Sequence, residues 1–100
     1  MRVLLIAHIP TNEASAKAFK ENPKKVAEGM EAYIKQVHAE AAYFGEDNGE
    51  RTAYFVVDLP SADMIPPIAE PLFLNLGAKV IIKPVMTIDQ VKSGLSKIAL

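Results

Sequence analysis

The chain has 100 residues, of which 50% are hydrophobic and 23% charged, and its formal net charge is −1. This length fits one domain over residues 1–100, and the near-zero charge argues against a nucleic-acid-binding surface. Cysteine is absent, which excludes disulfides and thiolate metal sites and favours a cytoplasmic protein. No apolar run reaches the roughly 18 residues of a membrane span, and the N-terminal apolar stretch has no secretory cleavage site.

The first predicted strand, Arg2–Ile9, is apolar along almost its whole length. Alternation places apolar side chains on both of its faces, so both faces of the sheet need cover. A polar segment over 11–21 follows and has room for a short helix. Asn22 and Pro23 then form a helix start, and the apolar spacing after them predicts a helix over roughly 23–37.

A hairpin is predicted by the Asn-Gly pair at 48–49, because both residues tolerate the positive φ of a tight turn. The strands beside it are 38–46, diluted by three alanines, and Arg51–Leu59, which is β-branched and aromatic. A two-residue turn sets a register in which Tyr43 lies opposite Tyr54. This register also places Asp47 opposite Glu50, and like charges at such a pair are unfavourable. The alternative is therefore a longer loop with a shifted register.

The second half of the chain predicts a helix, a strand and a last helix. Apolar residues at helical spacing indicate a helix over 65–76, which Pro71 should kink. Ala78–Val85 alternates like a strand, and a proline near its end suits an edge position. A capping box at 87–90 opens a C-terminal helix of about 88–98.

The order of elements is strand, helix, strand, strand, helix, strand and a C-terminal helix. With right-handed crossovers it predicts an α+β, ferredoxin-like βαββαβ sandwich whose four-stranded antiparallel sheet has the order 4-1-3-2. Helices cover one face of such a sheet, while Val56 and Ile81 add to an apolar second face. We therefore expect a homodimer whose two sheets pack face to face as a dimeric α/β barrel. The alternative is that the C-terminal helix folds over the open face within one chain.

These features resemble the dimeric α/β-barrel superfamily. More narrowly, the segment Leu59–Val91, with LPSAD, IAEPLF and KPVMTIDQV, is similar to the small bacterial proteins of domain of unknown function 3303. The shared motifs are helix caps, a kinked helix and an edge strand, so they support the fold and carry no reaction. The superfamily includes cofactor-free monooxygenases, haem-degrading enzymes, muconolactone-type isomerases and ligand-sensing modules. The resemblance implies a small-molecule pocket between sheet and helices.

Few polar residues are candidates for chemistry. His8 ends the first strand and is the candidate catalytic residue, as a general base or a ligand of haem iron. Tyr43 and Tyr54 share one face in the predicted register, with Asp58 two pleats further, and these three are the candidate ligand-binding residues. Alternatively, the tyrosines form an aromatic pair in a dimer core and Asp58 only ends its strand. The two histidines share no metal-ligand spacing, so we expect no metal and no cofactor.

Three functions stay open on the sequence. The first is a homodimeric protein that binds a small, largely apolar molecule, since the interior is apolar and offers few polar groups. The second is a cofactor-independent monooxygenase or isomerase that uses His8 and a tyrosine for proton transfer. The third is a purely structural interaction domain. No phosphate-binding loop, nucleophile elbow or zinc-protease motif points to a known enzyme class.

Overall fold

The computed structural model describes residues 1–99. Its helices and strands follow in the order β1 (Arg2–Ile9), α1 (Glu13–Glu21), α2 (Pro23–Gln36), β2 (Ala41–Asp47), β3 (Glu50–Asp58), α3 (Ile65–Leu76), β4 (Lys79–Pro84) and α4 (Ile88–Leu95). All strand pairs are antiparallel, and the sheet has the order β2-β3-β1-β4. The predicted α+β class and the four-stranded antiparallel sheet are confirmed.

Capping residues set the helix ends. The Asn12 side chain accepts from the backbone N–H of Ser15 (2.9 Å) and starts α1, a cap that the polar segment did not reveal. The predicted box at the start of α4 is confirmed, since Thr87 and Gln90 exchange two hydrogen bonds of 2.9 and 3.3 Å. Gly77 ends α3 in the left-handed region, at φ 58°. Within residues 1–99, no helix combines the length and apolarity that crossing a bilayer requires.

The hairpin between β2 and β3 has the predicted register. Asn48 and Gly49 adopt φ values of 51° and 79°, and Tyr43 lies opposite Tyr54. The like-charged first pair is kept, so the alternative of a longer loop is wrong. Glu46 supplies a compensating contact, because its carboxylate accepts from the backbone N–H of Gly49 at 3.0 Å.

β2 begins at Ala41, later than the predicted start at residue 38. The reason is the connection from α2. His38 turns the chain out of the helix in a left-handed conformation, with φ 53°, which is a short turn and not extended strand. The predicted strand therefore loses its first three residues to this turn.

The helices bury one face of the sheet and leave the other largely uncovered. On one face, alternate β1 residues are buried beneath α2 and α3, with Leu5 and Ala7 fully inaccessible. Helix residues complete this core, among them Tyr33, Ile68 and Leu72. We call the other face the open face. Its apolar residues are only half-buried and comprise Leu4, Ile6, Tyr54, Val56 and Ile81.

α4 does not cover the open face. None of its side chains is buried, and Ile88 and Leu95 are 68% and 62% exposed. The molecule is drawn out to 57 × 27 × 19 Å, and its radius of gyration of 15.9 Å exceeds the roughly 13 Å of a compact 100-residue domain. The idea that the C-terminal helix folds over the sheet of its own chain is therefore wrong. We call residues 86–99 the C-terminal arm.

Candidate functional site

A groove runs between α2 and α3 on the helical side of the molecule. Its volume is about 450 Å³, which lies in the range of small-molecule sites. Its walls are mostly apolar and include Val26, Gly29, Met30, Tyr33, Pro71 and Leu76. Asn22, Lys25 and Asn75 are the polar residues of the lining. The groove can hold a molecule with an apolar body and few polar atoms.

Gly29 keeps the α2 wall of the groove open. It lies three residues after Val26 and four before Tyr33, so it belongs to the same side of the helix. A Cβ atom at this position would meet nothing within 4 Å. Glycine inside a helix costs about 1 kcal/mol relative to alanine, and the packing of the chain itself does not require it here. Its structural effect is the free space in the groove.

Tyr33 fixes the wall of the groove to the core. Its hydroxyl donates to the backbone carbonyl of Ile68 at 2.7 Å and so ties α2 to α3. The ring meets Phe55 edge-on at a centroid distance of 5.1 Å, and Phe55 meets Phe44 in the same way at 5.9 Å. Burial raises the pKa of the Tyr33 phenol well above its usual value of 10.0. The hydroxyl therefore acts as a neutral structural donor.

We expect the stability of the protein to fall in alkali because of Tyr33. In the unfolded chain the phenol ionises near pH 10, whereas the folded state resists ionisation. The contribution of Tyr33 to the free energy of unfolding is therefore fully present below about pH 10, and it is lost progressively as the pH rises above that value. Tyr33→Phe should cost about 1 kcal/mol at neutral pH, through the lost hydrogen bond, and should flatten this alkaline decline. Urea unfolding at pH 8 and pH 11 measures both effects, with Tyr43→Phe as the exposed control.

A second cleft, of about 270 Å³, continues from the groove beneath α1. The two share Ala18, Val26, Asn75 and Leu76. α1 has no buried residue, and few contacts hold it in place. The guanidinium of Arg51 lies 4.2 Å from the centre of the Phe19 ring, a cation–π contact, and Thr11 donates weakly to the Gly49 carbonyl at 3.4 Å. α1 thus forms a lightly attached cover over one end of the groove.

His8, the candidate catalytic residue, lies on the open face and not in the groove. Its side chain is 13% exposed, and Nε2 is 3.8 Å from a carboxylate oxygen of Asp47. Its Nδ1 is 3.2 Å from Thr52 Oγ1, whose hydroxyl donates to the Glu50 carbonyl at 3.0 Å. The Thr52 hydroxyl has one hydrogen, which it can give either to the Glu50 carbonyl or to Nδ1, so these contacts are compatible with both tautomers of the His8 ring. They hold the ring between Thr52 and Asp47 and leave it outside the groove.

The candidate ligand-binding residues are only partly brought together. Tyr43 and Tyr54 are neighbours on the open face, and Tyr43 is 71% exposed. Asp58 is four residues along β3 from Tyr54, roughly 13 Å away, and it accepts from the N-terminal amine at 3.1 Å. The groove is lined by other residues, and Asp58 borders a separate cleft of about 130 Å³ together with His38 and Met64. The structure therefore does not bring the three candidates into one site. No cluster of three metal-ligating side chains occurs within residues 1–99.

The sequence does not predict the residues that line the groove. The helical spacing of Val26, Met30 and Tyr33 predicts a core-facing stripe, and Gly29 indicates only a weakened helix. A glycine within the apolar stripe of an amphipathic helix is the one available signal of a gap at that position. The opposite wall, at Pro71, follows only from the packing of α3 beside α2.

No protein-family model matches the chain, and no curated protein shows significant similarity to it. Indications of function therefore come from the geometry of the chain itself, namely the groove and the open face.

Proposed function

We propose that the protein is a homodimer with a ferredoxin-like fold and that it binds a small, largely apolar molecule in the groove between α2 and α3. The observation that carries the proposal is a mostly apolar groove of about 450 Å³. The strand order β2-β3-β1-β4 and the motifs of Leu59–Val91 support membership of the dimeric α/β-barrel superfamily, close to domain of unknown function 3303.

The polar groups of the groove indicate how a ligand would be oriented. Tyr33 uses its only hydroxyl hydrogen on the Ile68 carbonyl, so it offers no donor to a ligand. Asn22, Lys25 and Asn75 are the remaining donors. Such a lining supports a ligand whose apolar body lies against Met30 and Leu76, with at most a few polar atoms directed toward these side chains.

The dimer is supported by the apolar centre and the charged edges of the open face. Lys79 and Lys83 lie on the β4 edge, in register with His8 and Leu4 of β1. Asp47 lies on the opposite, β2 edge. A two-fold axis parallel to the strands would place the cationic edge of each copy over the acidic edge of its partner. The same packing would cover the apolar centre of both open faces.

A pair of substitutions at Gly29 tests the groove. Gly29→Ala should raise stability by about 0.5–1 kcal/mol, because it replaces a helical glycine without a clash, and should leave ligand binding intact. Gly29→Leu should also fold, but its side chain would occupy the groove and reduce the affinity for a neutral apolar probe by roughly tenfold or more. Titration of N-phenyl-1-naphthylamine, followed by fluorescence, measures this affinity.

The alanine variant is the matched control for the leucine variant. Equal probe affinity in both variants would place the probe elsewhere and contradict binding in the groove. An absence of probe binding to the unsubstituted protein would contradict an apolar ligand altogether. Thermal unfolding of all three proteins shows whether a loss of binding reflects the groove or a loss of folding.

A further inference from the structure

The C-terminal arm carries an apolar stripe that the rest of residues 1–99 leaves largely exposed. Ile88, Val91, Leu95 and Ile98 fall on one side of the helix and its following turn. Ile88, Leu95 and Ile98 are 68%, 62% and 54% exposed, while Val91 is half-buried. An exposed stripe of this kind on a projecting element marks a contact surface.

The helix of the arm is also too short to be stable alone. α4 has eight residues, whereas isolated helices below about 12–15 residues are marginal in water. The capping box at Thr87 and Gln90 helps the first turn, but most helical stability comes from packing of the apolar side. The arm therefore needs a surface against which Ile88 and Leu95 can be buried.

The position of the arm connects it to the open face. The arm follows β4, whose Ile81 belongs to the open face. The backbone N–H of Val85 donates to the Arg2 carbonyl at 3.1 Å, which fixes the base of the arm to the end of β1. A molecule that covers the open face at this end consequently lies beside the arm as well.

The size of the open face indicates that it needs additional contact area. Four strands of about seven residues give a flat footprint of roughly 440 Å². A standard stable interface buries about 800 Å² on each partner. The open face is therefore small for a stable interface, even though its side chains add accessible area to this flat outline, and the exposed stripe of the arm adds apolar area at its border.

We propose that the C-terminal arm packs its apolar stripe against the second copy of the chain, so that each arm clasps the partner beside the paired open faces. This inference rests on the proposed homodimer. It assigns Ile88 and Leu95 to the subunit interface. Neither the sheet nor the groove explains why these two apolar side chains are exposed.

Sedimentation velocity over a range of concentrations tests the clasp. We expect the double variant Ile88→Gln/Leu95→Gln to weaken dimerisation by roughly 100-fold, because each of two arms loses contacts whose effect is about tenfold. Glutamine is a good helix former, so α4 keeps its propensity. Ser93→Gln, on the opposite side of the helix, is the matched control and should leave the dimer unchanged.

The outcomes separate the clasp from the dimer. If the unsubstituted protein sediments as a dimer and the double variant dimerises equally well, the clasp is wrong while the dimer stands. If the unsubstituted protein sediments as a monomer, the dimer fails and the clasp with it.

The contact itself can be located because the chain has no cysteine. A photoactivatable crosslinker on Ser96→Cys, in a mixture of isotopically light and heavy protein, should give light–heavy crosslinks. Crosslinks confined to single chains would overturn the clasp.

Discussion

Replacing Ile6 by Glu is expected to turn the proposed dimer into a monomer. Ile6 lies at the centre of the open face, paired with Tyr54 on β3 and Ile81 on β4. In a face-to-face dimer the new carboxylate would be buried without a partner, which costs several kcal/mol per subunit. Dissociation should therefore increase by roughly 1000-fold or more. In the free subunit this position is only half-buried, so the fold should survive.

Sedimentation equilibrium measures this change directly, since a dimer has twice the 10.9 kDa mass of the chain. Ala27→Glu adds the same charge at an exposed position of α2 and should remain dimeric. Far-ultraviolet circular dichroism should show the same secondary structure in both variants. A dimer of undiminished affinity in Ile6→Glu would show that the open face is not the contact between subunits.

Phe55→Ala is expected to cause the largest loss of stability. Phe55 is 2% exposed and is among the largest fully buried side chains. Its ring contacts Tyr33 and Phe44 edge-on. Truncating such a residue removes apolar contacts and leaves a cavity, which typically costs about 3–5 kcal/mol. This is a large share of the roughly 5–15 kcal/mol by which domains are stable. The wall of the groove at Tyr33 would lose its support as well.

Phe44→Ala is the matched control, because it also removes a phenylalanine ring from this aromatic cluster. Phe44 is 50% exposed, so its loss should cost distinctly less, about 1 kcal/mol. Urea unfolding monitored by circular dichroism gives both values. Similar losses for the two variants would contradict the assignment of Phe55 to the centre of the core.

Much of the fold follows from local sequence signals. The Asn-Gly pair at 48–49 fixed the hairpin register down to Tyr43 opposite Tyr54, because a two-residue turn leaves no freedom of pairing. The alternation of Arg2–Ile9 correctly divided the sheet into two apolar faces. Both signals depend on neighbouring residues only, and the structure agrees with them. The ion pair of Arg2 with Glu40, at 2.9 Å, has no such signal, since Glu40 precedes β2 and β3 lies between β2 and β1.

The candidate site was not predictable in the same way. The groove depends on the distance between α2 and α3, and periodicity defines which side of a helix is apolar without giving that distance. Gly29 was visible in the sequence as a helix-weakening residue, but the open space beside it appears only when α3 is in place. The exposure of the arm was likewise not predictable. The apolar stripe at Ile88 and Leu95 predicts that the helix packs against something, but not whether the surface belongs to the same chain.

The two lateral strands of the sheet limit further assembly. β2 and β4 each leave one row of backbone groups unpaired, which in many proteins invites additional strands and fibre growth. Pro84 removes a donor from the β4 row, and Glu46 and Asp47 place negative charge along the β2 row. Association through the two edge strands is therefore disfavoured, and Pro84, Glu46 and Asp47 oppose polymerisation of the sheet into a continuous ribbon.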